Sequence, residues 1–133
     1  MAHTPVSPDP AKVLPTAGPY SHGLFVDPDL EWLFVSGQMG IAPDGTIPPD
    51  IGSQTRIVWT NCGEILAAAG FTMQDVVRVT HYVTDADNLP GYNQAREPLM
   101  DGAKPASTLL VISGLAKPEL LVEVDMIAAR KKA

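Results

Sequence analysis

The strongest constraint on how this chain folds lies near its end. From Leu120 to Ala129, the residues Leu120, Val122, Val124, Met126 and Ala128 alternate with Leu121, Glu123, Asp125, Ile127 and Ala129. Successive side chains of a strand point to opposite faces, so this period predicts a strand with one wholly apolar face. The other face carries two acids among apolar neighbours. Asp75 to Val83 has the same period, with Val77, Val79, His81 and Val83 set against Arg78, Thr80 and Tyr82. Thr108 to Ile112 is apolar on both faces and reads as another strand. Two further short strands, Ser21 to Val26 and Trp32 to Ser36, are predicted as a hairpin across the turn-rich Asp27-Pro28-Asp29, with Gly37 ending the second.

Pro43-Asp44-Gly45 and Pro48-Pro49 mark a loop, after which Asp50 is placed to cap a helix from Ile51 to about Ala69. Ile51, Val58, Cys62, Ile65, Leu66 and Ala69 form its apolar face, and Gly70 is the expected stop. Asn88 is placed to cap a second helix, with Pro90 in its first turn and an irregularity at Pro98 before it ends near Met100. The order is ββαβαββ, an α/β domain over residues 12–133. Residues 1–11, with Pro5, Pro8 and Pro10 and no periodicity, read as a flexible N-terminal arm. Two helices cover only one face of such a mixed sheet. The other is solvated or buried by another subunit, and its apolar content favours the subunit.

At 133 residues, 45% hydrophobic and 18% charged, the chain has the size and balance of one globular domain. No apolar run approaches the ~18 residues of a membrane span, and residues 1–10 lack the apolar core of a signal peptide, so a cytoplasmic protein with no membrane partner is expected. The single cysteine, Cys62, makes neither an internal disulfide nor a cysteine-based zinc site. The three histidines are scattered, and Gly37-Gln38-Met39-Gly40 lacks the spacing of a nucleotide cradle, so neither a metal nor a cofactor is expected. Net charge is −6. Arg130, Lys131 and Lys132 hold three of the nine cations, leaving six against fifteen acids in the body, a balance that opposes docking on nucleic acid.

Glu123 and Asp125 project from one sheet face beside Leu121 and Ile127. Desolvation and a like-charged neighbour fit a carboxylate for general acid–base work, although a solvated face or an intersubunit bond explains the pair equally well. Tyr20 and His22, also two apart after Gly18-Pro19, are placed on a common face as proton donors or acceptors, or as simple turn packing. His81 among valines reads as a core or interface histidine, and Cys62 as a small core hydrophobe.

Taken together, several segments resemble one family, the reactive-intermediate deaminases (RidA, or YjgF-like proteins, formerly grouped as L-PSP endoribonucleases). The resemblance rests on Gly18-Pro19-Tyr20-Ser21-His22, Phe34-Val35-Ser36-Gly37-Gln38, Gln54-Thr55-Arg56 with Asn61, and Ala68-Ala69-Gly70. It continues through Asp75-Val76-Val77-Arg78-Val79-Thr80, Tyr92-Asn93, Lys104-Pro105-Ala106 and Val122-Glu123-Val124-Asp125 with Ile127-Ala128. It implies a chorismate-mutase-like fold assembled as a homotrimeric barrel, with small-molecule clefts between subunits. It also implies cofactor-free hydrolysis of enamines or imines released by pyridoxal-phosphate enzymes, to a keto acid and ammonia. By the same resemblance, Glu123 positions or activates water, Tyr20, Gly37 and Asn93 line the cleft, and the backbone near Leu109 faces the ligand.

One departure stands out. The family's Pro-Ala-Arg-Ser/Thr reads Pro105-Ala106-Ser107-Thr108 here, so Ser107 occupies the place of the arginine that holds the substrate carboxylate. A hydroxyl does not replace a planar guanidinium fork. The nearest cations in sequence are Lys104, before the strand, and Arg96, on the second helix, and either reaches Ser107 only by an unusual path. Two functions remain open. The first is a deaminase-like hydrolase using Glu123 and water, with Tyr20, His22 or Ser107 as polar contacts and weak or no activity on 2-imino acids. The second is a non-catalytic trimeric module that binds a small molecule.

Overall fold

A computed structural model describes residues 2–132; Met1 and Ala133, the outer ends of the expected arm and domain, lie outside the described residues. The elements run β1 (His3–Val6), β2 (Gly23–Val26), β3 (Leu30–Met39), α1 (Ile51–Ala68), β4 (Val76–Val83), α2 (Leu89–Arg96), β5 (Ala106–Val111) and β6 (Val122–Lys131). The main sheet has the order β3-β6-β4-β5, antiparallel at β3-β6 and β6-β4 and parallel at β4-β5. The last strand in sequence therefore lies inside the sheet, which is why its alternation is so strict. Val122, Val124, Met126 and Ala128 are buried against α1, while Glu123, Asp125 and Ile127 take the opposite face.

α1 begins where expected, with the Asp50 carboxylate accepting from the Ser53 backbone N–H at 2.8 Å. Its buried face is built from Gln54, Thr55, Val58, Trp59, Cys62 and Leu66; Ala69, assigned to that face from sequence, is exposed. Trp59 and Tyr92 bring the two helices together. Gly91 makes this approach possible, since a Cβ there would lie 2.9 Å from Ile51 Cγ2. α2 ends at Arg96, and a 3-10 turn over Glu97–Met100 follows. That turn is the irregularity expected at Pro98, whose missing N–H cannot extend the helix. Asn88 precedes α2, but its side chain makes no capping bond.

Three expectations are corrected. The strands predicted as a hairpin do not pair with each other: β2 pairs antiparallel with β1, a strand inside the segment read as an arm, and β3 pairs with β6. Prolines hid β1 in the sequence, yet a proline is tolerated in a two-stranded ribbon, where one edge of each strand needs no donor. β3 does not stop at Gly37 but continues to Met39 across a register shift between Val35 and Gln38. The basic residues after Ala129 are not all tail, because β6 includes Arg130, whose Nε–H donates to Glu31 at 3.1 Å.

One face of the main sheet is covered by α1 and α2. The other presents Trp32, Phe34, Ile127, Tyr82 and Leu110, with Phe34 71% exposed. An apolar sheet face of this kind is characteristic of an interaction surface.

Candidate functional site

The sequence-predicted site residues separate into two groups on opposite faces of the sheet. The first surrounds a cavity of about 350 Å³ lined by Ala17, Gly18, Tyr20, Asn93, Arg96, Ser107 and Leu109. Its floor is the edge strand β5. Ser107 and Leu109 are in register with Val79 and His81 of β4, so they belong to the helix-covered face. The wall is α2, where Asn93 and Arg96, three residues apart, lie on one side of the helix. The rim is the segment before β2, tied to the sheet edge by the Ser21 backbone N–H donating to Pro105 O at 3.1 Å and the Ser21 hydroxyl donating to Lys104 O at 2.6 Å.

Ser107 is held from behind by a buried polar chain. Trp59 Nε1–H donates to Tyr92 Oη at 3.2 Å, Tyr92 Oη bonds His81 Nδ1, and His81 Nε2 lies 2.9 Å from Ser107 Oγ. An indole N–H only donates. Tyr92 Oη therefore accepts from Trp59, and its bond with His81 Nδ1 carries the chain on to the imidazole. The bond between His81 Nε2 and Ser107 Oγ ends the chain at the cavity floor. Burial, with help from the Arg96 and Arg78 charges, lowers the His81 pKa to about 3, so the ring is neutral and serves as a fixed dipole. The expectation of a satisfied core histidine holds, and that histidine also orients a cavity residue.

Arg96 departs from expectation. Its guanidinium lies over the Tyr92 ring, 5.2 Å from the centroid, with Nη1 3.3 Å from both ring nitrogens of His81. The side chain is thus at the Ser107 position, reached from the helix. Tyr92 and Arg96 are four residues apart, a spacing that stacks two side chains on one helix face and is the sequence signal for this arrangement.

The second group is on the uncovered face. Glu123 is in register with Met39 of β3 and Tyr82 of β4. Gly37 is shaped to it, since a Cβ at position 37 would come 2.8 Å from Glu123 Cδ. Asp125 is engaged, accepting from Tyr82 Oη at 2.9 Å. Glu123 has no side-chain hydrogen bond among the described residues, and burial, followed by repulsion from Asp125, raises its pKa. The two acids that strand alternation alone leaves equivalent therefore differ: Asp125 is a bonded carboxylate and Glu123 an unbonded one.

His22 joins neither group. Strand β2 starts only at Gly23, so Tyr20 and His22 do not share a strand face, and the His22 ring bonds Leu14 O at 2.8 Å. It lines a cavity of about 710 Å³ beneath β1, together with Tyr20, Pro5, Pro8, Leu24 and Val76. That larger cavity mixes prolines and aliphatic residues with polar ones, His3, Gln74 and Lys104 among them. Cys62 is fully buried, and desolvation raises its thiol to about 12, as expected of a core residue. Among the described residues no cluster of histidine, cysteine, aspartate or glutamate is arranged to hold a metal, and no helix is long and apolar enough to cross a membrane.

A mixed sheet under two helices, with a small polar cavity at its edge and an unpartnered carboxylate on its bare face, defines a domain of the α/β class. The family model described as Endoribonuclease L-PSP matches residues 11–130. A RutC family protein of Pyrococcus horikoshii is 34% identical over 116 residues, 86% of this chain and 89% of its own. A 2-iminobutanoate/2-iminopropanoate deaminase of Bos taurus is 30% identical over 122 residues, covering 90% of this chain and 86% of its own. Among solved structures, the Rid family protein YyfB of Yersinia pestis superposes with a TM-score of 0.86 at 29% identity, over 98% of this chain and all of that one. The chain belongs to this family, the Rid or YjgF-like proteins, whose members include reactive-intermediate deaminases.

Proposed function

We propose that this protein hydrolyses a small imine or enamine to a carbonyl compound and ammonia, in a cleft formed where the Glu123 face of one subunit meets the Ser107 cavity of a neighbour in a homotrimer. The observation that carries this reading is the difference between the two acids: Glu123 is free, has a raised proton affinity and is given room by Gly37, whereas Asp125 is bonded to Tyr82. A carboxylate with those properties accepts a proton from water as the oxygen attacks the C=N carbon. The resulting carbinolamine loses its C–N bond as nitrogen takes up both water protons, the one Glu123 returns and the one left on the hydroxyl, leaving C=O and NH₃. The reaction consumes one water and needs no redox partner.

The subunit arrangement follows from the separation of the two groups. Within one chain the sheet stands between Glu123 and the cavity of Tyr20, Asn93, Ser107 and Leu109, so one small molecule cannot touch both. The exposed Trp32, Phe34 and Leu110 beside Glu123 supply an apolar surface for a second copy. Relatives named as deaminases of 2-iminobutanoate and 2-iminopropanoate support the reaction class.

The test is ammonia release from small imines, charged and uncharged, by the parent and by Glu123→Gln. Loss of activity by ~10²-fold in the variant supports the reading, on the usual scale for removing a general base. Equal rates would reduce Glu123 to a structural residue, and no release from any imine by the parent would favour a binding module.

A further inference from the structure

Arg96 raises a question that the fold alone does not answer. It is 9% exposed, and its Nε–H is buried with no hydrogen-bond partner. No carboxylate pairs with it, since the ion pair found among the described residues is Arg130 with Glu31. Its neighbours are the faces of a neutral histidine and a tyrosine. Burying a cation without a counter-charge is costly, and the cost is tolerated where an anion completes the set. The guanidinium lies on the wall of the Ser107 cavity. Lys104 and Glu97 border the adjoining cavity with it and cancel in formal charge, so Arg96 supplies the net positive charge facing Ser107.

We infer that Arg96 and Ser107 together form an anion-recognition site for the carboxylate of a small substrate, with the positive charge supplied from helix α2 and not from strand β5. The substrate class deepens the imine-hydrolysis reading and rests on it. Arg96 contributes its positive charge from the cavity wall. Ser107 contributes a hydroxyl on the cavity floor, held in place by its bond with His81 Nε2. The two donors come from different elements, so the site recognises a planar carboxylate between helix and strand. The chain thereby answers the missing guanidinium of position 107, and the substrate includes carboxylated imines after all.

Binding of a product analogue tests this apart from turnover. The probes are 2-oxobutyrate and its uncharged amide, titrated calorimetrically into the intact oligomer. The parent should bind the acid at least ~10-fold more tightly than the amide, on the scale of charge-assisted hydrogen bonds. Arg96→Gln should weaken the acid by ~10- to 100-fold and leave the amide unchanged, at unaltered oligomer mass and melting temperature. Should Arg96→Gln fail to fold, Ser107→Ala should still weaken the acid several-fold, and the Arg96 Nε–H resonance of the parent should shift with the acid and not with the amide. Equal affinity for acid and amide, or an Arg96 resonance indifferent to 2-oxobutyrate, overturns the proposal. Acid-selective binding without ammonia release from any imine would leave the Arg96 site standing and remove the hydrolase reading. Ammonia release without acid selectivity would do the reverse.

Discussion

Tyr92→Phe deletes one oxygen from the chain that positions Ser107, and the structure fixes what that should cost. Trp59, Tyr92 and His81 are at most 2% exposed, so water does not replace the lost hydroxyl. Trp59 Nε1–H has Tyr92 Oη as its hydrogen-bond partner and is left a buried donor without an acceptor, a cost of about 1–3 kcal/mol. His81 Nδ1 also loses its partner, and Arg96 Nη1, 3.3 Å from both ring nitrogens, lies over the ring and does not take the phenol's place. Removing the phenol also removes its own desolvation. The net destabilisation should therefore fall near ~2 kcal/mol, which lowers a urea midpoint by roughly 1 M at a typical dependence on denaturant. Urea unfolding followed by tryptophan fluorescence, at fixed protein concentration because assembly couples to folding, gives the number. A midpoint within ~0.2 M of the parent, on the same scale, would show that the chain organises nothing and that Ser107 is not held by it.

Three further outcomes follow. Gly37→Ala should cut ammonia release by ~10-fold or more while leaving the fold intact, because a methyl group there displaces the Glu123 carboxylate; unchanged rates would detach Gly37 from the site. The buried His81, with its pKa lowered to about 3, binds a proton in the unfolded chain before the folded one, so its contribution is complete above pH ~6.5 and is lost as pH falls toward 3. Unfolding free energy should drop by up to ~1.4 kcal/mol per pH unit across that window, and His81→Gln should flatten the slope; parallel slopes would mean that the ring is protonated in the fold. Light scattering should give a mass three times the 14.1 kDa chain, and a monomer at micromolar concentration would remove the shared cleft.

Much of the fold was legible because its central strands are unambiguous. Val79, His81 and Val83 on β4, and Val122, Val124 and Met126 on β6, alternate strictly because those strands lie inside the sheet under two helices. Strand β1 was not legible. Pro5 masks it, and a ribbon packed on the domain's flank has no strict buried period. Trp59 escaped the apolar face of α1 through its size and indole N–H, although it is one of the largest buried side chains. The separation of Glu123 from Ser107 depends on register, since Glu123 pairs with Tyr82 and Ser107 with Val79 on opposite faces of β4, and period within one strand does not reveal that pairing. Arg96 was misjudged for a related reason. A residue counted from the strand looked remote, whereas the parallel crossover from β4 through α2 to β5 lays the helix beside Ser107.

Subunit complementation tests the shared cleft most directly. Glu123→Gln removes the carboxylate from one face, and Asn93→Trp, at an exposed position on the rim, fills the cavity on the other. Each alone should release little ammonia. Unfolded together in equal amounts and refolded, the two chains form mixed trimers, and random pairing of faces leaves about a quarter of the clefts with both halves intact. The account predicts recovery to roughly a quarter of the parent rate, while a mixture no more active than the separate variants would place the whole site within one chain and contradict it.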